Sequence, residues 1–458
     1  MNRVRVRARI MLVFLLFLVG GLMFFLAEYS VKAPQWVTFR GSPHVYQGSA
    51  NVSATVTDRH GNLLLDTTDG REYAADLTLR QATLHWLGDR SGSINAAALN
   101  TYASALVGYD SVQGIYNYTQ SPGSMELTLS SRIQAAAMKA MKGRKGTVAV
   151  YNYKTGQILC AVTTPTFDPD NVPDIAGDTS GEYEGVYLNR FTQVTYPPGS
   201  IFKIVTTAVA IDCVEGIWDM RFTCDSVYEL QGSRVTCEKA HGTLDLKSAM
   251  ARSCNCAYAQ IAQLIGGDKL AKYARRFGVT ESIRFDGITT AEGNFDLAGA
   301  DKVALAWSAI GQYTDMINPC AYMTFMGAIG AGGQAAEPYI VEQVTAGGEI
   351  TYQAQTKLHD RVMDAELAET LTGLMRNNVV NVYGSGNFPG LTVCAKSGTS
   401  ELGGGKTPNA MFSGFVADAE YPLAFIVVVE NGGYGSHTCV PILAPVLAEC
   451  KAVLDETE

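Results

Sequence analysis

Three short stretches hold residues whose types and spacing could carry acyl transfer. In Tyr196-Pro197-Pro198-Gly199-Ser200-Ile201-Phe202-Lys203, the prolines stop the preceding structure and the Gly-Ser step opens a helix. Ser200 and Lys203 are three apart and share one helical face, one turn apart. A serine at a helix N-terminus has backbone N–H groups and the positive dipole end beside it, which suits a nucleophile that creates an oxyanion. Alone the spacing is weak, since any long helix offers an S-x-x-K by chance. The second stretch is Ser253-Cys254-Asn255, after His241-Gly242 and a helix-like run Leu244 to Arg252. Ser253 could relay a proton and the Asn255 amide could hold a substrate carbonyl, although a helix cap is the plainer reading of S-x-N. The third is Lys396-Ser397-Gly398-Thr399, on a strand-like segment. Alternation puts the Ser397 and Thr399 hydroxyls on one side, Gly398 admits a substrate backbone, and Lys396 adds a positive charge.

The elements that must position these residues can be read around them. Strand-like stretches at 53–57 and 62–66 form a hairpin, and Ser131 to Lys142 reads as a helix. Gly143-Arg144-Lys145-Gly146 breaks that helix and marks a domain boundary. Beyond it, 147–153 and 157–163 alternate around Lys154-Thr155-Gly156, a second hairpin. Helix-like stretches follow near 200–214, 244–265 and 268–277, strand-like ones at 391–399, 411–417 and 423–430, and a last helix at about 441–455. Strands at both ends of a domain with helices between predict one antiparallel sheet covered by helices, an α/β (α+β) fold.

Composition narrows the function. The chain has 458 residues, 47% hydrophobic and 17% charged, as in a folded protein of two or three domains. Arg3, Arg5, Arg7 and Arg9 precede the uncharged run Ile10 to Ala27; without those four, 31 basic residues face 44 acidic ones, a net of −13. So acidic a body argues against nucleic-acid binding. Six His, none in an H-E-x-x-H pattern, argue against a zinc hydrolase, and no metal or cofactor is expected. The apolar run, roughly 27 Å long as a helix, fits a bilayer core; the arginines would stay cytoplasmic and the rest would lie outside. A cleaved signal peptide is the rival, but Ala27-Glu28-Tyr29 offers no small-x-small cleavage site. All ten Cys follow this run. Most read as small buried hydrophobes, and a Cys224–Cys237 bridge across a turn-rich loop stays open.

S-x-x-K plus S-D-N plus K-T-G is the signature of penicillin-binding proteins and class A β-lactamases, and Ser253-Cys254-Asn255 stands at the second of these. The chain resembles a class B penicillin-binding protein, with Ser397 where the family usually has Thr. The likeness extends to "DRHGNLL", "LTLSSRIQ", "GTVAVYNYKTGQILCAVTTPTFDP", "HGTLDLKSAMARSCN", "AIGQ" at Ala309 to Gln312 and "VCAKSGTSE". It implies a cytoplasmic tail (1–9), a transmembrane anchor (10–27), a pedestal or dimerisation-like domain (31–143) and a transpeptidase domain (144–458). Two look-alikes drop out. Lys154-Thr155-Gly156 precedes Ser200 and sits in a turn, and the P-loop-like run ending Gly405-Lys406-Thr407 starts with Ser400 rather than Gly.

The resemblance also implies a mechanism. Ser200 attacks the penultimate D-Ala carbonyl of a peptidoglycan stem peptide, with Lys203 as base. Ser253 and Lys396 carry the proton to the leaving amine, and Asn255 holds substrate. The backbone N–H groups of Ser200 and Thr399 form an oxyanion hole worth roughly 3–4 kcal/mol per donor. Ser397, Gly398 and Thr399 bind the terminal carboxylate end. Poising Lys203 near neutrality costs about 4–5 kcal/mol of charge stabilisation. β-Lactams should acylate Ser200, and a SEDS-type membrane glycosyltransferase is the implied partner. A D,D-carboxypeptidase or β-lactamase, and a non-enzymatic sensor or scaffold, are the competing readings. A sensor would need a cytoplasmic module that nine residues cannot supply. A bifunctional class A enzyme is disfavoured because a glycosyltransferase domain would not fit before Gly143. The sequons at Asn51 and Asn117 carry no expected role.

Overall fold

The computed structural model describes residues 2–37, 54–107, 109, 114 and 123–456; both sequons, at 51–53 and 117–119, lie outside the described residues. The chain opens with a long helix, Asn2–Val37, whose residues from Ile10 to Ala27 are all exposed. Burial of such a surface needs an apolar medium, which a bilayer supplies.

The C-terminal two thirds of the chain is built on a five-stranded antiparallel sheet, in the order Val393–Ser400, Asn409–Val416, Leu423–Val429, Gly146–Asn152, Ile158–Thr164. The strand Leu423–Val429 is buried throughout and reads LAFIVVV, because both sheet faces are covered and no alternation is needed. The helices Ser131–Met141 and Gly435–Asp455 pack on one face, and Pro319–Gly330 on the other. The predicted helix-like stretch 244–265 is two helices, Leu246–Ala251 and Asn255–Ile265. Ser253 breaks it by taking a left-handed backbone, φ 51°.

The second sheet has six strands: Glu349–Gln353, Val341–Ala346, Gly123–Leu127, Ala54–Thr57, Leu63–Asp66 and Glu72–Tyr73. The boundary expected at Gly143 therefore divides the sequence more cleanly than the structure, since a hairpin from 341–353 completes the N-terminal sheet. Asp286 ties the join. Its carboxylate accepts from Tyr102 Oη at 2.8 Å and from the Ile340 and Val341 N–H groups at 2.7 and 3.0 Å.

Candidate active site

Ser200 lies in a short 3₁₀ turn, Gly199–Phe202, and Lys203 begins the helix Lys203–Cys213. Tyr196 and Ile317 exchange backbone hydrogen bonds, and Tyr196 Oη donates to Glu430 at 2.8 Å, so the approach to the turn is fixed. Gly199 takes φ 53°, and a Cβ there would fall 2.6 Å from Thr399 O. The serine turn and the strand Val393–Ser400 thus meet backbone to backbone.

The three motifs converge. Lys203 Nζ lies 3.0 Å from Ser200 Oγ, 3.1 Å from Ser253 Oγ and 2.7 Å from Asn255 Oδ1. Lys396 Nζ approaches Ser253 Oγ from the other side at 3.0 Å and donates to Ser397 O at 2.8 Å. Both lysines are fully buried. Burial pushes Lys203 down to about 7 and repulsion from Lys396 adds to it, while the sulfurs of Cys237, Cys254 and Cys256 oppose the shift. Burial also pushes Lys396 down to about 7. Two ammonium groups sharing one hydroxyl in a dry site disfavour the doubly charged state, so the pair titrates jointly. The site can thus offer an uncharged amine beside Ser200 and a cation beside the strand.

The sheet edge explains the third motif. Outward-facing groups on this edge strand alternate along the chain. Val393 O accepts from Arg376, Ala395 O from Asn378, and Ser397 N–H donates to Tyr383 Oη at 3.0 Å. By the same alternation Thr399 N–H points out of the edge, next to the Ser200 turn. Its Oγ1 accepts from Gly435 N–H at 3.2 Å.

Some expected roles shift in detail. Gly398 faces inward: a Cβ there would lie 3.0 Å from Pro198 O and from Ile201 Cγ2, so its bareness serves packing on the serine turn rather than substrate approach. Ser397 Oγ donates to Tyr383 Oη at 3.0 Å, an engagement that a carboxylate would have to share. Asn255 is first a partner of Lys203. Its Nδ2 donates to Thr236 O at 2.9 Å, which leaves one amide hydrogen for substrate. The plain cap reading falls on Cys254 instead, whose Sγ accepts from Ala257 N–H at 3.4 Å. Sequence reasoning missed Tyr383, which no spacing links to the motifs. It quoted Gly311 without a role. Gly199 N–H donates to Gly311 O at 2.9 Å, so this glycine supports the serine turn from behind.

A description of the penicillin binding protein transpeptidase domain matches residues 146–448. The chain belongs to the penicillin-binding protein transpeptidase family. This penicillin-binding protein is 30% identical over 335 residues to the peptidoglycan D,D-transpeptidase PbpA of Mycobacterium tuberculosis, covering 68% of each chain. It is 27% identical to the stage V sporulation protein D of Bacillus subtilis, covering 71% of this chain and 53% of that one. Penicillin-binding protein A from M. tuberculosis, solved as a ceftriaxone acyl-enzyme complex, superposes with a TM-score of 0.74 at 25% identity, over 89% of this chain and 99% of that one. A D,D-transpeptidase domain from Eggerthella lenta gives 0.71 at 25% identity, over 88% and 98%.

Proposed function

We infer that this penicillin-binding protein is a peptidoglycan D,D-transpeptidase that works through an acyl-enzyme and is inhibited by β-lactams. The observation that carries the reading is the convergence at Ser253 Oγ: Lys203 Nζ at 3.1 Å and Lys396 Nζ at 3.0 Å, with Ser200 Oγ 3.0 Å from Lys203. Uncharged Lys203 takes the proton of Ser200 as Oγ adds to the penultimate D-Ala carbonyl. The oxyanion sits between the N–H groups of Ser200 and Thr399. Collapse breaks the D-Ala–D-Ala amide, and the proton passes from Lys203 through Ser253 to the departing amine. Lys396 and Thr399 hold the terminal carboxylate. An amine of a second stem peptide then attacks the ester and restores Ser200.

The acceptor distinguishes this from a hydrolase. Lys203 and Lys396 bond only hydroxyl, carbonyl and amide oxygens among the described residues, and Lys203 is the group placed to activate an incoming amine as it activates Ser200. The test is intact mass and peptide mapping after penicillin treatment, with stem-peptide dimers assayed in parallel. The adduct should map to Ser200 and vanish in Ser200→Ala; labelling that survives in that variant removes the nucleophile from the scheme.

The anchor and partner belong to the same reading. The apolar helix holds the protein in the membrane, and the arginines before it keep the tail cytoplasmic. Residues 31–143 act as the pedestal that meets a SEDS-type glycan polymerase, and residues 144–458 act as the transpeptidase domain. Ser200→Ala protein should still support polymerisation by such a partner.

A further inference from the structure

Close behind the S-x-N motif lies a group of side chains the acyl transfer does not use. Cys224, Cys237, His241 and Cys254 bring one donor atom each within 4.8 Å of all the others. His241 Nδ1 is 3.6 Å from Cys224 Sγ and 3.5 Å from Cys237 Sγ, and the Cys237 and Cys254 sulfurs are 4.0 Å apart. A tetrahedral zinc with ordinary bond lengths needs S···N separations of about 3.5 Å and S···S separations of about 3.8 Å. Cys224 and Cys254 are buried and the other two half-buried, so the four atoms enclose a closed volume. None of the ten cysteines is bridged.

The backbone favours a charged sulfur here. The Ala257 N–H donates to Cys254 Sγ at 3.4 Å and is among the first N–H groups of the helix Asn255–Ile265, where negative charge is favoured. The four residues also join pieces with little core of their own. Cys224 ends one strand of a two-stranded ribbon, His241 precedes the other, and Cys237 follows a mostly exposed hairpin, 227–236. Cys254 is the middle residue of Ser253-Cys254-Asn255.

We propose that Cys224, Cys237, His241 and Cys254 bind one structural zinc ion, and that this ion positions Ser253 and Asn255. Three thiolates and one imidazole fill the tetrahedron and leave no open position, so the ion takes no direct part in acyl transfer. It clamps the 222–244 ribbons onto the turn where Ser253 holds its left-handed backbone. The same clamp holds Thr236, whose carbonyl orients Asn255. This revises the expectation of no metal.

The test uses the full chain in detergent, prepared without chelator from zinc-supplemented cells. Elemental analysis should find one zinc per chain, and cobalt put in its place should give the visible absorption of a tetrahedral thiolate site. Cys237→Ser should hold under a tenth of that zinc, while His241→Cys, with four thiolates, and Cys160→Ser, at a distant buried site, should keep it. If Cys237→Ser fails to fold, alkylation decides: in wild-type protein the four side chains' three thiols should resist modification until a chelator is added. Chelation should also slow penicillin acylation about tenfold, as loss of a supporting shell does. Zinc content is independent of the acyl-enzyme reading and stands if that reading fails. Wild-type protein free of zinc, iron in its place, a disulfide among Cys224, Cys237 and Cys254, or full zinc in Cys237→Ser overturns the proposal.

Discussion

In the proposed acyl transfer the two buried lysines set the pH behaviour of the reaction. Lys203 must be uncharged to take the Ser200 proton, so acylation should climb as pH rises through about 7. Lys396 must be charged to attract a carboxylate, so the rate should fall as it deprotonates, also near 7. The result is a narrow bell. Because the charge on Lys396 is what adds to the lowering of Lys203, Lys396→Gln should let Lys203 keep its proton longer. The acid limb of the pH profile for penicillin acylation should then move upward, besides an overall loss of rate. An acid limb that stays in place would mean that Lys203 is set by burial alone. At this scale the sequence was legible for residue types but not for partners. Ser200, Lys203, Ser253, Asn255 and Lys396 were named from spacing and likeness. That Asn255 bonds Lys203 first, or that Tyr383 holds Ser397, depends on folds of the chain that no local pattern encodes. The Cys224, Cys237, His241, Cys254 group leaves one local trace, His241 four residues after Cys237; Cys224 lies 13 residues before that pair and Cys254 13 residues after it, so only the fold joins them.

Among the elements, the helix Ala365–Asn378 and the turn that follows it govern the exposed edge of the catalytic sheet. Arg376, Asn378 and Tyr383 satisfy Val393, Ala395 and Ser397 in succession, so the edge is closed until Thr399. An open strand edge accepts an added strand, and here only the stretch beside Ser200 is left to do so. Tyr383→Phe removes the acceptor for both Ser397 N–H and Ser397 Oγ. It should destabilise the protein by about 1 kcal/mol, the net worth of a hydrogen bond at a half-buried residue, and should loosen the groove enough to slow acylation. Denaturant midpoints and labelling rates check both parts; unchanged values for each would show that the edge is held by packing alone. This helix was not foreseen, nor was Pro319–Gly330. The latter is buried along nearly its whole length, so its apolar residues show no 3.6-residue period to detect. The three strands at 393–400, 409–416 and 423–429 were readable because β-branched and aromatic runs are bounded by turns.

For the whole molecule, the other edge of that sheet is closed by the N-terminal half. Trp86 Nε1 donates to Ala161 O at 2.7 Å, Gln134 Oε1 accepts from Ala161 N–H at 2.9 Å, and Ser130 N–H donates to Leu159 O at 2.9 Å. Ile133, Ala137 and Met141 of the helix Ser131–Met141 are buried in one cluster with Leu159, Val162 and Val446. The catalytic sheet is thus a two-edged ribbon in which one edge is spent on the N-terminal half and the other is left partly open for substrate. The division read at Gly143 falls between the helix Ser131–Met141 and the strand Gly146–Asn152, and hydrogen bonds and packing continue across it. A chain beginning at Gly146, where the family match starts, should lose this helix and expose the sheet face beneath it. It should aggregate, or unfold without a cooperative transition and bind little fluorescent penicillin. A chain lacking only the apolar N-terminal helix should unfold cooperatively and label like the full protein. A 146–458 fragment that labels normally and melts in one sharp step would make the N-terminal half a mere spacer. The shared sheet argues the reverse: the fragment also carries Val341–Ala346 and Glu349–Gln353, and without Gly123–Leu127 that hairpin would have no sheet to join.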